Sequence, residues 1–151
     1  MKPGRVLPFS PSLAGLRGIS VLVEYLTPEA EQAGLTRSAI QADAELKLRM
    51  AGIRVIDEDE AVSPRGPHIY IRVNCMKVEG KEFLACSTAV ALNQNVRLAR
   101  DPSVVIAAAT WEKDAIGVAG SSQISDGVRG LLKDLVEEFI TDYLAMNPKV
   151  R

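Results

Sequence analysis

The sequence predicts a two-layer α+β domain, in which a mixed sheet carries two main helices on one face. Three observations support this fold class. A strand–helix–strand order opens the chain, two alternating segments flank a short turn in the middle, and a long apolar stripe of helical spacing closes the chain. We therefore expect one crossover unit, then an antiparallel meander, then a long carboxy-terminal helix.

Composition limits the possible classes of protein. The chain has 151 residues, 47% of them apolar and 25% charged, with a net charge of -1. A chain of this length buries a core without a metal or a disulfide, and its balanced charge gives no reason to expect nucleic-acid binding. Its apolar runs are too short to form a transmembrane segment. We expect a flexible basic arm at 1–15, a single domain at 16–148 and a tail at 149–151.

The first half of the chain contains the crossover unit. Ile19–Leu26 is rich in β-forming residues and predicts a strand. Thr27-Pro28 begins a short helix that ends at Gly34, and Thr36 can cap a second helix that ends at Gly52. The buried stripe of this second helix is predicted to be Ile40, Ala44, Leu48 and Ala51. A short strand, 53–56, should follow and lie parallel to the first.

Two alternating segments, 68–78 and 83–92, predict a β-hairpin. If Gly80-Lys81 forms a two-residue turn, Ile69 lies opposite Leu92. Apolar residues then face apolar residues along the whole hairpin, and a shift by one residue would destroy the match.

The rest of the chain predicts further antiparallel strands and a helix. The second hairpin strand should continue to Leu98, turn at 100–103 and return as 104–111. A turn at 112–114 and a short edge strand at 115–118 would follow. The closing helix should be capped by Ser121 or Ser122 and end at Asn147-Pro148. Its stripe comprises Ile124, Val128, Leu131, Leu132, Leu135, Phe139 and Tyr143.

One sheet face is left without helices in this arrangement. It carries a mixture of apolar and polar side chains, so it can pack a partner, pack the amino-terminal arm or meet water. Its predicted members are Tyr70, Arg72, Asn74, Met76, Ala85, Ser87, Ala89, Ala91, Val104, Ile106, Ala108 and Thr110. We take Tyr70, Arg72, Met76, Ala89 and Ile106 as the candidate partner-binding residues.

The ionisable and sulfur-containing residues predict no catalytic centre. Cys75 and Cys86 lie opposite each other in the hairpin, so a disulfide is conceivable, but two-residue turn counting makes them a hydrogen-bonded pair and favours buried free thiols. His68 should be solvent-exposed at the start of a strand. The acidic run 57–60 is predicted to be a solvent-exposed connecting loop. We expect no catalytic residue, no metal site and no cofactor.

The segment Gly117–Ser122 is the one candidate for a small-ligand site. It precedes a helix, and backbone N–H groups at a helix start attract anions. The candidate anion-binding residues are Gly117, Gly120, Ser121 and Ser122. No lysine stands beside the hydroxyl residues, so a nucleotide-binding loop is not supported. A flexible turn followed by a helix cap explains the segment equally well.

A second apolar stripe on the first long helix comprises Ala39, Leu46 and Met50. A helix that is apolar on two sides is either sandwiched within the fold or offers one side to a partner. We favour a core role, with the segment 28–33 as its cover.

Five segments carry a resemblance to known proteins: Leu35-Thr36, 48–55, 101–103, Thr110-Trp111 and 134–144. In these segments the chain resembles an uncharacterised bacterial protein family whose members often carry export signals. The order of elements also resembles the amino-terminal domain of the TolB translocation protein and domains of curli-secretion and penicillin-binding-protein-activator lipoproteins. The resemblance implies a non-catalytic envelope module that binds other proteins through its sheet or its edges.

The sequence therefore predicts a non-catalytic interaction module that binds a protein partner or a second copy of itself. The alternative is a small anionic-ligand binder or enzyme that uses 117–122. The resemblance implies a periplasmic or envelope location, whereas a chain that truly starts at Met1 would be cytoplasmic.

Overall fold

The computed structural model describes residues 10–57 and 66–148. Its elements are a 3-10 helix (Ser10–Leu13), β1 (Ser20–Val23), α1 (Pro28–Gln32), α2 (Arg37–Met50), β2 (His68–Lys77), β3 (Phe83–Leu98), β4 (Asp101–Gly120) and α3 (Ile124–Met146). The α+β class, the mixed sheet and the long carboxy-terminal helix are confirmed. The strands lie in the order β1-β2-β3-β4, with β1 parallel to β2 and the other pairs antiparallel.

The crossover unit follows the local signals of the sequence. The Thr36 hydroxyl caps α2 by accepting a hydrogen bond from the backbone N–H of Ala39 at 3.2 Å. Gly52 ends the helix in the left-handed region at φ 81°. The strand predicted at 53–56 is reduced to one parallel bridge between Val55 and Ile19. The first strand is also shorter than predicted, and Tyr25, beyond its end, is 81% exposed.

The register predicted for the central hairpin is confirmed, since Ile69 lies opposite Leu92 and Cys75 opposite Cys86. The turn differs from the prediction. The N–H of Val78 donates to the carbonyl of Phe83 at 3.0 Å, so this pair closes a longer loop than the two residues expected. The register is unchanged, but the alternation of hydrogen-bonded and non-hydrogen-bonded pairs is reversed.

That reversal explains the state of the two cysteines. The prediction of free thiols was wrong: Cys75 and Cys86 form a disulfide, and their Cα atoms are 4.1 Å apart. So short a distance is typical of a non-hydrogen-bonded pair, which brings opposed side chains closest together. The hydroxyl of Thr27 accepts from the N–H of Cys75 and donates to its carbonyl, at 3.1 and 3.2 Å. The backbone of Cys75 therefore points away from β3, toward Thr27 at the start of α1.

β4 is continuous, so the predicted turn at 112–114 and the separate edge strand at 115–118 were wrong. The charged residues resemble a turn locally, but β3 extends far enough to pair with β4 from Asp101 to Gly120. The register shifts between Leu92 and Asn93, which leaves Thr110 as an extra residue. Such a bulge changes which side chains share a face.

The core lies between the sheet and the helices α2 and α3. Ile71 of β2 lines the same small internal space as Ile40 of α2 and Leu132 of α3, so both helices cover this face. Leu131 of α3 packs over Gly117 of β4, where a Cβ would lie 2.9 Å from Leu131 Cδ1. In the described ranges, no helix is both long and apolar enough to cross a membrane.

The segment predicted as a flexible arm is folded where the structure describes it. Ser10–Leu13 is helical and Leu13 is fully buried. The side-chain amide of Asn147, just after α3, donates to the carbonyl of Leu13 at 2.9 Å and accepts from the N–H of Gly15 at 2.8 Å. Residues 1–9 of the predicted arm and the predicted tail at 149–151 lie outside the described residues.

Candidate functional site

The candidate site is the open face, the side of the sheet opposite α2 and α3. Side chains at even-numbered positions of β2 and odd-numbered positions of β3 lie on it, because residues alternate between faces along a strand. Tyr70, Arg72, Met76 and Ala89, four of the five predicted partner-binding residues, therefore share this face, with Ala89 paired to Arg72 and Ala91 to Tyr70.

Ile106, the fifth predicted residue, lies elsewhere. The bulge at Thr110 pairs Ile106 with Val96, on the side of the sheet that also carries Leu92 and Trp111. Val104 and Ala108 move with Ile106 for the same reason. Prediction of the open face failed here because a bulge adds one residue and inverts the alternation beyond it.

Four other residues of β4 lie on the open face. They are Glu112, Asp114, Ile116 and Val118, which lie opposite Ala91, Ala89, Ser87 and Ala85. Ile116 is 78% exposed and Val118 is 62% exposed. They were not predicted to lie on this face, because 112–114 was expected to form a turn. Their signal in the sequence was alternation with Ala115, Gly117 and Ala119, small residues on the side packed by α3.

Two polar contacts organise the open face. The guanidinium of Arg72 bonds Glu112 Oε1 at 2.6 Å, across β3. Burial, together with the adjacent Glu24 carboxylate that accepts the hydroxyl hydrogen bond, raises the pKa of Tyr70 above its ordinary value. The Tyr70 hydroxyl therefore stays protonated at neutral pH and acts as a donor.

A cleft lies on this face over the small side chain of Ala89. It has a volume of about 230 Å³, and its polar lining includes Arg72, Asn74, Ser87 and Asp114. Asp114 is exposed, and among the described residues no cation lies within ion-pair distance of it. The cleft can therefore hold an extended polar or cationic side chain.

His68 does not lie in the exposed position expected for it. It is 8% exposed, its Nδ1 lies 3.1 Å from the carbonyl of Gly66, and its ring packs edge-on against Tyr70 at 6.4 Å. The strand start is enclosed because β2 lies between β1 and β3. Of the acidic run 57–60, Asp57 is exposed and the other three residues lie outside the described part of the chain.

The residues of the predicted anion site do not form one loop. Gly117 and Gly120 belong to β4, and Ser121 and Ser122 lie exposed in the turn before α3. The predicted serine cap was wrong, because Gln123 stands at the helix start and makes no side-chain capping bond. Anion binding by these residues stays a prediction.

In the second apolar stripe of α2 Ala39 is half-buried, but Leu46 and Met50 are exposed, so the core role predicted for these two was wrong. Leu46 is 57% exposed and Met50 is 79% exposed. The short helix α1 packs against β2 instead of covering them. Leu46 and Met50 line a groove of about 450 Å³ between α2 and α3, beside an ion pair of Lys47 with Glu137.

No metal centre is evident in the ranges that the structure describes, where three or more His, Cys, Asp or Glu side chains nowhere come together. On the open face Arg72 and Glu112 pair with each other, whereas Asp114 is exposed and unpaired among the described residues. The arrangement offers contacts to a bound surface, through exposed apolar side chains, a cleft and a strand edge.

Among the solved structures to which this chain is similar are three bacterial proteins. The hypothetical protein CT253 from Chlamydia trachomatis has a TM-score of 0.53 and 10% identity, over 85% of this chain and 98% of that chain. A PelC dodecamer from Paraburkholderia phytofirmans has a TM-score of 0.45 and 16% identity, over 86% and 92%. A minor lipoprotein from Acinetobacter baumannii has a TM-score of 0.37 and 10% identity, over 85% and 93%.

At such low identity the likeness to CT253 shows a shared fold and nothing about function. No family model matches the chain, and no curated protein matches it either. The predicted resemblance to the TolB amino-terminal domain stays a prediction.

Proposed function

We propose that this chain is a non-catalytic protein-interaction domain of the bacterial envelope, laid out like the amino-terminal domain of TolB. It binds another polypeptide through the open face and the adjoining outer edge of β4. The observation that carries this proposal is the outer edge of β4, which lies at the end of the strand order and pairs with no other strand in the described residues. Beside this edge, Ile116 is 78% exposed.

Long free edges with apolar neighbours are uncommon in proteins that act alone. Such an edge presents unpaired N–H and C=O groups that favour addition of another strand. Val118 and Met76 extend the apolar surface of the same face, at 62% and 66% exposure. Single exposed apolar residues are ordinary, but a group of them beside a free edge is typical of an interaction site.

Binding is better supported than catalysis by the chemistry of this face. General acid–base catalysis needs a group that is free to exchange a proton with a substrate. Glu112 is held by Arg72, and Tyr70 has a raised pKa and bonds Glu24. Asp114 is unpaired, but the described lining of the cleft beside it includes no His, Cys or Lys. The two pairs fix side chains in place, as a binding surface requires.

The disulfide supports placement in the envelope. Disulfides persist in oxidising compartments such as the bacterial periplasm and are rare in the cytosol. Cys75 and Cys86 are 4% and 0% exposed, so their bond belongs to the core. A buried structural disulfide is the kind that exported domains use.

The substitution Ala89→Arg tests the proposal, because it fills the cleft on the open face with a long cation. Ala145→Arg is the matched control, since Ala145 is exposed on α3, in the other layer. Immobilised wild-type protein and both variants are exposed to periplasmic extract, and the retained proteins are quantified by mass spectrometry. We expect proteins that wild type and Ala145→Arg retain equally and that Ala89→Arg loses. Equal retention by all three folded proteins would exclude the open face.

A further inference from the structure

The outer edge of β4 exposes a defined set of backbone groups. In an antiparallel sheet each residue directs both its N–H and its C=O to one side, and the side alternates along the strand. The bond from Val78 to Phe83 directs Phe83 toward β2, so even-numbered β3 residues from Leu84 to Leu92 face β4. Their β4 partners are odd-numbered, such as Ala115 opposite Thr88. The even-numbered residues of β4 therefore direct their backbone groups outward.

An independent contact agrees with this assignment. The hydroxyl of Thr88 donates to the carbonyl of Ala115 at 3.1 Å, which places that carbonyl on the β3 side. The outward residues are accordingly Glu112, Asp114, Ile116 and Val118, the same residues whose side chains lie on the open face. Beyond them, the Thr110 carbonyl accepts a hydrogen bond from Ser12, so the available edge is 112–118.

The side chains along this edge have an ordered chemistry. Two carboxylates come first and two exposed apolar residues follow, at every second position. A strand added antiparallel would place its own alternate side chains directly opposite them on the same face. Complementary side chains would read, from its amino to its carboxyl end, apolar, apolar, basic, basic. The cleft over Ala89 gives a long basic side chain room beside Asp114.

A second copy of β4 does not supply this complement. Two β4 strands paired antiparallel in one continuous sheet oppose open-face residues to open-face residues. The open-face positions of the edge include Glu112 and Asp114 but no Lys or Arg, because Lys113 lies on the other face. No register of antiparallel self-pairing therefore places a cation opposite either carboxylate.

We propose that the edge 112–118 takes an extended segment of a partner protein as an added antiparallel strand, in which two alternate apolar residues precede two alternate basic residues. The inference rests on the proposed function and names the class of partner segment. Main-chain hydrogen bonds supply affinity in this mode of recognition, and the alternate side chains supply specificity.

The test uses a fluorescent peptide, Thr-Val-Thr-Ile-Thr-Lys-Thr-Arg-Thr, and wild-type protein, with binding followed by fluorescence anisotropy. The control is the peptide of the same composition in reversed order. We expect the first peptide to bind more tightly, by roughly tenfold, since four cross-strand pairs distinguish the two. Equal binding of both, or binding of neither at millimolar concentration, would overturn the proposal.

Backbone methylation gives a sharper control that leaves the protein unchanged. The N–H of the peptide isoleucine would face β4, whereas the N–H of the threonine after it would face solvent. We expect N-methylation of the isoleucine to weaken binding by roughly tenfold and N-methylation of that threonine to leave it unchanged. Equal effects of the two methyl groups would contradict strand addition.

Exchanging the two charges tests the predicted pair between Asp114 and the lysine of the peptide. Asp114→Lys should lower the affinity for the original peptide by about fivefold. The same variant should bind a peptide that carries Glu in place of Lys more tightly than wild-type protein does. A dimer of wild-type protein that Ile116→Pro dissolves would instead assign the edge to a second copy and overturn the proposal. If the peptides do not bind but Ala89→Arg still loses the proteins that wild type retains, this class of partner segment is rejected. The proposed function then still stands.

Discussion

The disulfide between Cys75 and Cys86 allows a direct test of how the central hairpin is stabilised. The bond joins residues with a sequence separation of 11. In the chain-entropy description, a cross-link of that span constrains the unfolded chain enough to contribute about 3 kcal/mol to the free energy of unfolding. Reduction should remove this contribution and leave the folded hairpin in place, because its register also depends on pairs such as Ile69 with Leu92.

The assay is thermal unfolding followed by circular dichroism, with and without a phosphine reductant. A loss of about 3 kcal/mol in a domain of this size lowers the melting temperature by roughly 6–12 °C. Denatured protein should show no free thiol before reduction. The control is the double variant Cys75→Ala, Cys86→Ala, whose melting temperature should not respond to the reductant. A change below about 2 °C in wild type would refute the entropic reasoning.

Three further substitutions have defined outcomes. Trp111→Phe removes the indole N–H that donates to Asp142 at 2.9 Å, so the free energy of unfolding in urea should fall by about 1.5–3 kcal/mol; an unchanged midpoint would contradict this. Gly117→Ala places a Cβ 2.9 Å from the terminal methyl of a half-buried leucine side chain of α3, which can turn aside, so chemical denaturation should show a loss of less than about 1 kcal/mol, and a loss above about 3 kcal/mol would contradict this. Hydrogen bonding by Arg129 lowers the pKa of Asp43, so the stabilisation is present above the unfolded pKa of about 3.9 and is lost as pH falls through the lower folded pKa. The stability difference between wild type and Asp43→Asn should therefore shrink below about pH 4, and a constant difference would contradict the assignment.

The hairpin shows how much a register can be predicted from sequence. Apolar residues occur at matched distances on both sides of the Gly80–Lys81 bond, so this alignment opposes apolar residues throughout and a shift by one residue would turn one strand's apolar side chains to the other face. The same pattern does not encode the length of the turn. The bond from Val78 to Phe83 lengthens the turn without changing the pairs, and this decides whether Cys75 and Cys86 lie close enough to bond.

The open face was predictable only in part, because two non-local effects shape it. Glu112, Lys113 and Asp114 favour a turn when read locally, but pairing with a long β3 keeps them in a strand. The bulge at Thr110 then moves Ile106 to the other face, and no local residue preference marks that position. Tyr70 and Ala89 were placed correctly because they lie in the regular part of the sheet.

The exposed stripe of α2 illustrates a different limit. Apolar residues at helical spacing predict burial, but they do not reveal whether the fold or a partner covers them. Leu46 and Met50 remain exposed because α1 packs on β2. The spacing of apolar residues therefore identifies the apolar face of a helix but does not show what packs against it.

Amide hydrogen exchange along β4, measured by nuclear magnetic resonance, tests the free edge most directly. In the protein alone, the amides of Glu112, Asp114 and Ile116 should exchange rapidly, while those of Lys113 and Ala115, which bond to β3, should exchange slowly. Addition of the apolar–basic peptide should slow the first set and leave the second unchanged. Uniform slow exchange along the free strand would show that the edge is already covered, and would contradict the account.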